Sequence, residues 1–258
     1  MATIVTGYFK LKQSKASHEK YSQWMSNMLI INNPMVIFCD VESVDLIETV
    51  RNVHLDKTKI IPIDISEFYS YRYLQHFLEH TKMDTELRVG HNVELYMIWS
   101  EKSHFLKRAI DMNPFQTDYF VWCDIGCFRL PNTLYLKWPS PDRVNALPKD
   151  KVLLLSVVPF SESELNIDAL EKLPSFQFNN RIGGTIFAGT GKILLEWHNK
   201  YYEMLEHFIR INRFIGKDQS IMNSVYLLNR EMCHLVNWEK GCRDSWFYLQ
   251  DYLSDNKK

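Results

Sequence analysis

Two hydrophobic rhythms alternate along this chain: short, nearly continuous apolar runs, and longer stretches in which apolar residues recur every third or fourth position. The first marks strands buried on both faces and the second amphipathic helices. Residues 3–9 read as a strand. Residues 18–31 read as a helix, with Tyr21, Trp24, Met25, Met28 and Leu29 on one face and Asn33-Pro34 as its stop. Strands follow at 35–39, with Asp40 at its end, and at 59–63, separated by a short helix at 44–50. Residues 90–112 form a long amphipathic pattern halted by Asn113-Pro114. An aromatic-rich run, Tyr119-Phe120-Val121-Trp122-Cys123, then ends in Asp124-Ile125-Gly126. Past Arg129 the rhythm loosens, and residues 131–148, with four prolines, read as a surface crossing. Strands at 152–158, 182–188 and 233–236 and helices at 192–211 and 218–228 complete the pattern.

Strands alternating with helices at this spacing predict parallel βαβ units. The fold class is therefore α/β, a mostly parallel central sheet flanked by helices. With no internal repeat and no linker, residues 1–258 are expected to form a single domain.

Composition changes this picture little but excludes several classes. Hydrophobic residues are 46% and charged residues 24%, an ordinary globular balance rather than a disordered one. Lys plus Arg (30) nearly equals Asp plus Glu (31), which argues against a broad footprint for nucleic acid or an anionic membrane. No run approaches the ~18 apolar residues of a membrane span. The N-terminus lacks the basic start and apolar core of a signal peptide. The five scattered cysteines read as reduced thiols, and the expected location is cytoplasmic.

Candidate chemistry gathers at strand ends, because ligands of open α/β sheets bind beyond the carboxyl ends of strands. Asp124, delivered there by a buried strand, with Gly126 allowing close backbone approach, suits a metal-diphosphate site; it equally suits an ordinary Asp-x-Gly turn. Thr6-Gly7-Tyr8 at the first strand end could hold a base or ribose edge, or simply begin a turn. Lys102 shares a helix face with Trp99, Phe105 and Leu106, as a point charge for phosphate or as a snorkelling stem. Gly183-Gly184 lets a ligand or another backbone come close, and Arg181 beside them could clamp a hydroxyl-rich or anionic group. Asp218 opens a helix as a first-turn acid or as a catalytic base. His234, beside the last strand, could reach a metal near the sheet end. Gly189-Thr190-Gly191-Lys192 lacks the P-loop spacing and, with Leu194, the third glycine of the dinucleotide fingerprint.

In this order the motifs resemble the WlaTC/HtrL (YibB) family of GT-A-type glycosyltransferases. The likeness runs from Thr3-Ile4-Val5-Thr6-Gly7-Tyr8-Phe9 through Tyr21-x-x-Trp24-Met25, Asn33-Pro34-Met35, Ile98-Trp99-x-x-Lys102 and Asn113-Pro114-Phe115. Its core is Asp118-Tyr119-Phe120-Val121-Trp122-x-Asp124-x-Gly126-Cys127-x-Arg129, and Gly183-Gly184 and Asp218-Gln219 follow. The resemblance implies a GT-A-like, Rossmann-like fold, with a nucleotide-sugar-binding half at about 1–130 and an acceptor-binding half at about 131–258. It implies transfer of a sugar from a nucleotide-sugar donor to a glycan or glycoconjugate acceptor. Thr6, Gly7 and Tyr8 would line the nucleotide. Lys102, Asp124 and Gly126 would meet the diphosphate side, and Arg181, Gly183 and Gly184 the sugar and acceptor. Asp218 would be the base of an inverting reaction. A divalent cation, Mn²⁺ or Mg²⁺, would sit on Asp124, with His234 in reach. Gly126 stands where the family's D-x-D motif carries its second acid. A sugar nucleotidyltransferase and a non-catalytic nucleotide- or glycan-binding module are the alternatives.

Overall fold

The computed structural model describes residues 1–12, 16–131 and 135–255. Its strands are β1 (Ala2–Tyr8), β2 (Met35–Cys39), β3 (Thr58–Pro62), β4 (Tyr119–Cys123), β5 (Val152–Ser156), β6 (Ile182–Thr190) and β7 (Cys233–Asn237). They join into one sheet in the order β3-β2-β1-β4-β6-β5-β7. Every pairing is parallel except those of β6, which runs against both β4 and β5. The helices are α1 (His18–Leu29), α2 (Val44–Val50), α3 (Leu74–His80), α4 (Val93–Met112), α5 (Pro141–Asn145), α6 (Glu162–Leu165), α7 (Gly191–Arg210), α8 (Asp218–Leu228) and α9 (Tyr248–Tyr252). Among the described residues no helix is long and apolar enough to cross a membrane, and all five cysteines are free.

The continuous apolar strands are explained by the two layers that cover them. Val5, Val36, Phe38, Phe120, Trp122 and Leu154 face one core with residues of α4, α7 and α8. Their strand neighbours Ile4, Met35, Ile37, Val121, Cys123 and Leu153 face a second core with α1, α2 and the C-terminal turns. Side chains alternate across a strand, so a strand covered on both sides is apolar throughout.

Helix ends are set by side chains. Ser17 caps α1 through the Lys20 amide. The expected start at residue 90 moves to Val93, because Asn92 accepts from the Leu95 amide at 2.8 Å and fixes the first turn. The stretch expected as a surface crossing at 131–148 is instead partly core: Tyr135, Trp138, Val144 and Leu147 are buried, and α5 lies within it. The aromatic and aliphatic residues between the prolines fill the second core, with Trp138 edge-on to Phe128. Residues 132–134 of that stretch lie outside the described residues.

Candidate active site

The carboxyl ends of β1 and β4 and the start of β6 share one rim. A cleft of about 180 Å³ opens there. Gly7 and Tyr8 line it from β1, and Asp124, Ile125 and Gly126 from the turn after β4. Trp99 and Lys102 come from α4, His18, Tyr21 and Trp24 from α1, with Arg129, Thr185 and Phe247 completing the wall. Parallel strands ending together, with helices leading away, leave such a crevice by construction.

Lys102 is the hub beneath the cleft. Its side chain is 6% exposed, and its Nζ lies 3.1 Å from Asp124 Oδ1 and 2.9 Å from Asp218 Oδ2. It also donates to Gly184 O at 2.9 Å. Burial alone would push the lysine's pKa down. The two carboxylates overcome that and hold the ammonium above its ordinary range. Asp124 is held second by the Trp122 indole, which donates to Oδ1 at 2.7 Å. Burial lifts Asp124 above the usual carboxylate range, a rise that Lys102 and Trp122 oppose and Asp218 reinforces. Trp122 near the end of β4 and Asp124 just past it lie two residues apart, close enough for the indole to reach the carboxylate.

Asp218, in the first turn of α8, accepts the Gln219 amide at 2.9 Å and is 4% exposed. It does not line the main cleft; beside it lies a void of about 10 Å³, room for one water, bounded by Trp99, Lys102, Phe187 and Tyr201. Gly184 is what lets it approach. A Cβ there would stand 2.6 Å from Asp218 Oδ2.

Gly126 has a different reason. A Cβ at this position would meet the rings of Tyr21 and Trp24 at 3.3 and 3.4 Å. The place of a second motif acid is therefore taken by aromatic packing.

The other residues expected from the sequence are distributed unevenly. Thr6 is fully buried within β1 and does not line the cleft: it shares a strand face with Tyr8 but lies further from the strand's carboxyl end, which Gly7 and Tyr8 bring to the rim. Tyr8 is buried at the cleft edge, with burial first and Asp40 second raising its phenol pKa. Gly183 backs onto Val157, at 3.0 Å from a built Cβ. Arg181 is engaged by Glu164, its Nε and Nη2 each 3.1 Å from Oε1, and is not a cleft residue. His234 sits beside Leu153 near the start of β5, on the edge strand, and its Nε2 is 3.2 Å from the Tyr252 hydroxyl. It is not a metal partner for Asp124: two strands and the length of β7 separate it from the rim.

A divalent cation at Asp124 does not fit these side chains. The site offers one motif carboxylate, both of whose oxygens already lie within 3.3 Å of a lysine ammonium, and no second motif acid. Elsewhere, Asp84, Glu86 and His91 place ligand atoms within 4.8 Å of one another and could hold an ion. That group is outside the cleft. Asp84 already takes the His91 ring and the Tyr96 hydroxyl, and Glu86 pairs with Lys217.

Sequence reasoning passed over Phe247, because no periodic pattern marks the C-terminal turns. In sequence, Trp122, Trp24 and Arg129 stand inside the motifs with no role that their spacing assigns. Their signal was available in the aromatic density around a single acid.

The family model described as "Bacterial protein of unknown function (HtrL_YibB)" matches residues 1–252. Protein HtrL of Escherichia coli K12 is 25% identical over 277 aligned positions, covering 96% of this chain and 90% of that one. Among solved structures, mouse xyloside xylosyltransferase 1 superposes with a TM-score of 0.50 at 10% identity, over 92% of this chain and 86% of that chain. The WbbM bifunctional glycosyltransferase gives 0.49 at 11% identity, over 91% of this chain and 38% of the other. The superposition on the xylosyltransferase shows that the mixed seven-stranded sheet and its flanking helices share that glycosyltransferase's fold.

Proposed function

This chain belongs to the HtrL_YibB family of bacterial proteins, and we propose that it is a glycosyltransferase that moves a sugar from a nucleotide-sugar donor to a hydroxyl of a glycan or glycoconjugate acceptor. The observation that carries the reading is the ion-paired cluster Asp124–Lys102–Asp218, whose Asp124 and Lys102 line a rim cleft walled by aromatic side chains while Asp218 lies behind Lys102. Aromatic faces suit a nucleobase and sugar rings, and paired charges suit proton and leaving-group chemistry.

Gly7 and Tyr8 take the nucleotide at the end of β1. Asp124, partly buried at the cleft wall, meets the donor. In an inverting transfer, Asp218 accepts the proton of the acceptor hydroxyl while its oxygen attacks the anomeric carbon. The bond from that carbon to the diphosphate oxygen breaks, and the nucleoside diphosphate leaves. Because Lys102 spans both carboxylates, Asp218 acts as base once Lys102 shifts toward the departing phosphate. Gly184 lies beside the acceptor path. Arg181 keeps the start of β6 in place through Glu164 rather than touching sugar.

The test is thermal stabilisation across UDP-, GDP-, CMP- and dTDP-sugars, followed by transfer assays with the donor that stabilises. A bound donor at 100 times its dissociation constant adds about 2.7 kcal/mol to stability. Asp124→Asn should abolish turnover while leaving the fold intact, and full activity in that variant would sink its assigned role.

A further inference from the structure

We infer that Arg129 binds the diphosphate of the donor and that no divalent cation is needed there, an inference that rests on the glycosyltransferase reading above. Arg129 lines the cleft together with Asp124 and Lys102. Its guanidinium carbon lies 4.7 Å from the Trp24 ring centroid and 4.6 Å from that of Phe247. Cation–π contact with two rings holds the guanidinium at the cleft wall without using its N–H groups as ion-pair donors, and a guanidinium can bind two oxygens side by side. No carboxylate of the described residues pairs with it within ion-pair distance, although it is a permanently charged group that shares the cleft with Asp124.

The charges of the site make this cation the decisive one. Lys102 is shared between Asp124 and Asp218 and also donates to Gly184 O. With both acids ionised, that trio carries one net negative charge and repels an incoming diphosphate. Arg129 cancels it and has donors to spare.

The same geometry disfavours a metal in this role. An ion on Asp124 would share its oxygens with an ammonium 3.1 and 3.3 Å away. Its second motif ligand is replaced by Gly126, against which Tyr21 and Trp24 pack. Trp24 therefore does two things: it closes the place of the missing acid and it holds the arginine.

Calorimetric titration of the whole chain with UDP, GDP, CDP, ADP and dTDP, each in Mn²⁺ and in EDTA, tests this. The nucleotide that binds in Mn²⁺ is expected to bind with undiminished affinity in EDTA. Arg129→Ala should weaken it by at least about tenfold, the loss of one charge-assisted contact. Arg129→Lys should recover little, and both variants should bind the matching phosphate-free nucleoside as the parent does. Matching melting midpoints without nucleotide establish that the variants are folded. Loss of binding in EDTA, or full affinity in Arg129→Ala, overturns the inference while leaving the glycosyltransferase reading standing. Failure of every nucleotide in both buffers overturns the reading itself, and this inference with it.

Discussion

At the scale of single residues, the site is governed by what two glycines leave room for. Gly184→Ala drives a methyl into Asp218, so the carboxylate must leave Lys102. We expect a stability loss of about 1–3 kcal/mol in urea unfolding, as for other overpacked positions, together with impaired transfer. Lys102→Met should be costlier. It strands two carboxylates around an apolar chain, and breaking a buried pair from one side typically costs ~3–5 kcal/mol; equilibrium unfolding at pH 7 measures it. The sequence named Asp124, Lys102, Gly184 and Asp218 one at a time, and the structure brings all four into one contact. Their mutual arrangement was not legible, because no spacing rule tells which acid a helix lysine will reach. Arg181 and His234 looked equally chemical in sequence. Glu164 and Tyr252, the partners that occupy them, carry no motif.

Whole elements followed the hydrophobic rhythm closely, since period and burial are properties of the local sequence. Strand direction is not: nothing in residues 182–188 announces that β6 runs backwards. The short helix α3 and the tight turns around it also escaped, because segments of a few residues hold too few periods to read. Where elements meet, single polar side chains do much of the fastening. Arg51 is fully buried after α2, donating to Leu29 O and Ile31 O at 2.7 Å, to Asn33 O at 2.6 Å and to Thr58 Oγ1 at 2.7 Å. It ties the end of α1 to the starts of β2 and β3. Burial lowers its pKa to about 10, with Asp56 opposing. Arg51→Met leaves several carbonyls without donors, at about 1–3 kcal/mol for each one kept from water. The expected result is a large drop in urea midpoint, with Arg51→Lys only partly restoring it.

The packing of α4 on α7 makes stability depend on pH. His104 and His198, with ring centroids 5.3 Å apart, are both pushed down to about 4, chiefly by burial. The unfolded chain binds their protons near the ordinary value of 6.5. Their contribution is therefore complete above about pH 6.5 and is lost as pH falls toward 4. Glu101 has the opposite sign. Burial raises it to about 7, against backbone bonds from Ser70 and Tyr69, so its contribution is present below the unfolded value of 4.5 and is lost as pH rises through 7. Two histidines outweigh one glutamate. The urea midpoint should fall from pH 6.5 to 4.5, less steeply in His198→Gln and more steeply in Glu101→Gln; a flat profile would contradict this account.

For the molecule as a whole, the reversed strand has a consequence for the order in which the protein comes to be. Lys102 bonds Gly184 across 82 residues of sequence, and Asp218 arrives later still, on α8. The hub therefore stays unmade until distant parts of the chain have met, and such long-range closures are the slow ones in folding. Nucleotide binding should accordingly be among the last properties to appear during refolding, lagging behind the recovery of helical signal. A stopped-flow experiment that follows both would make the finished site its own clock.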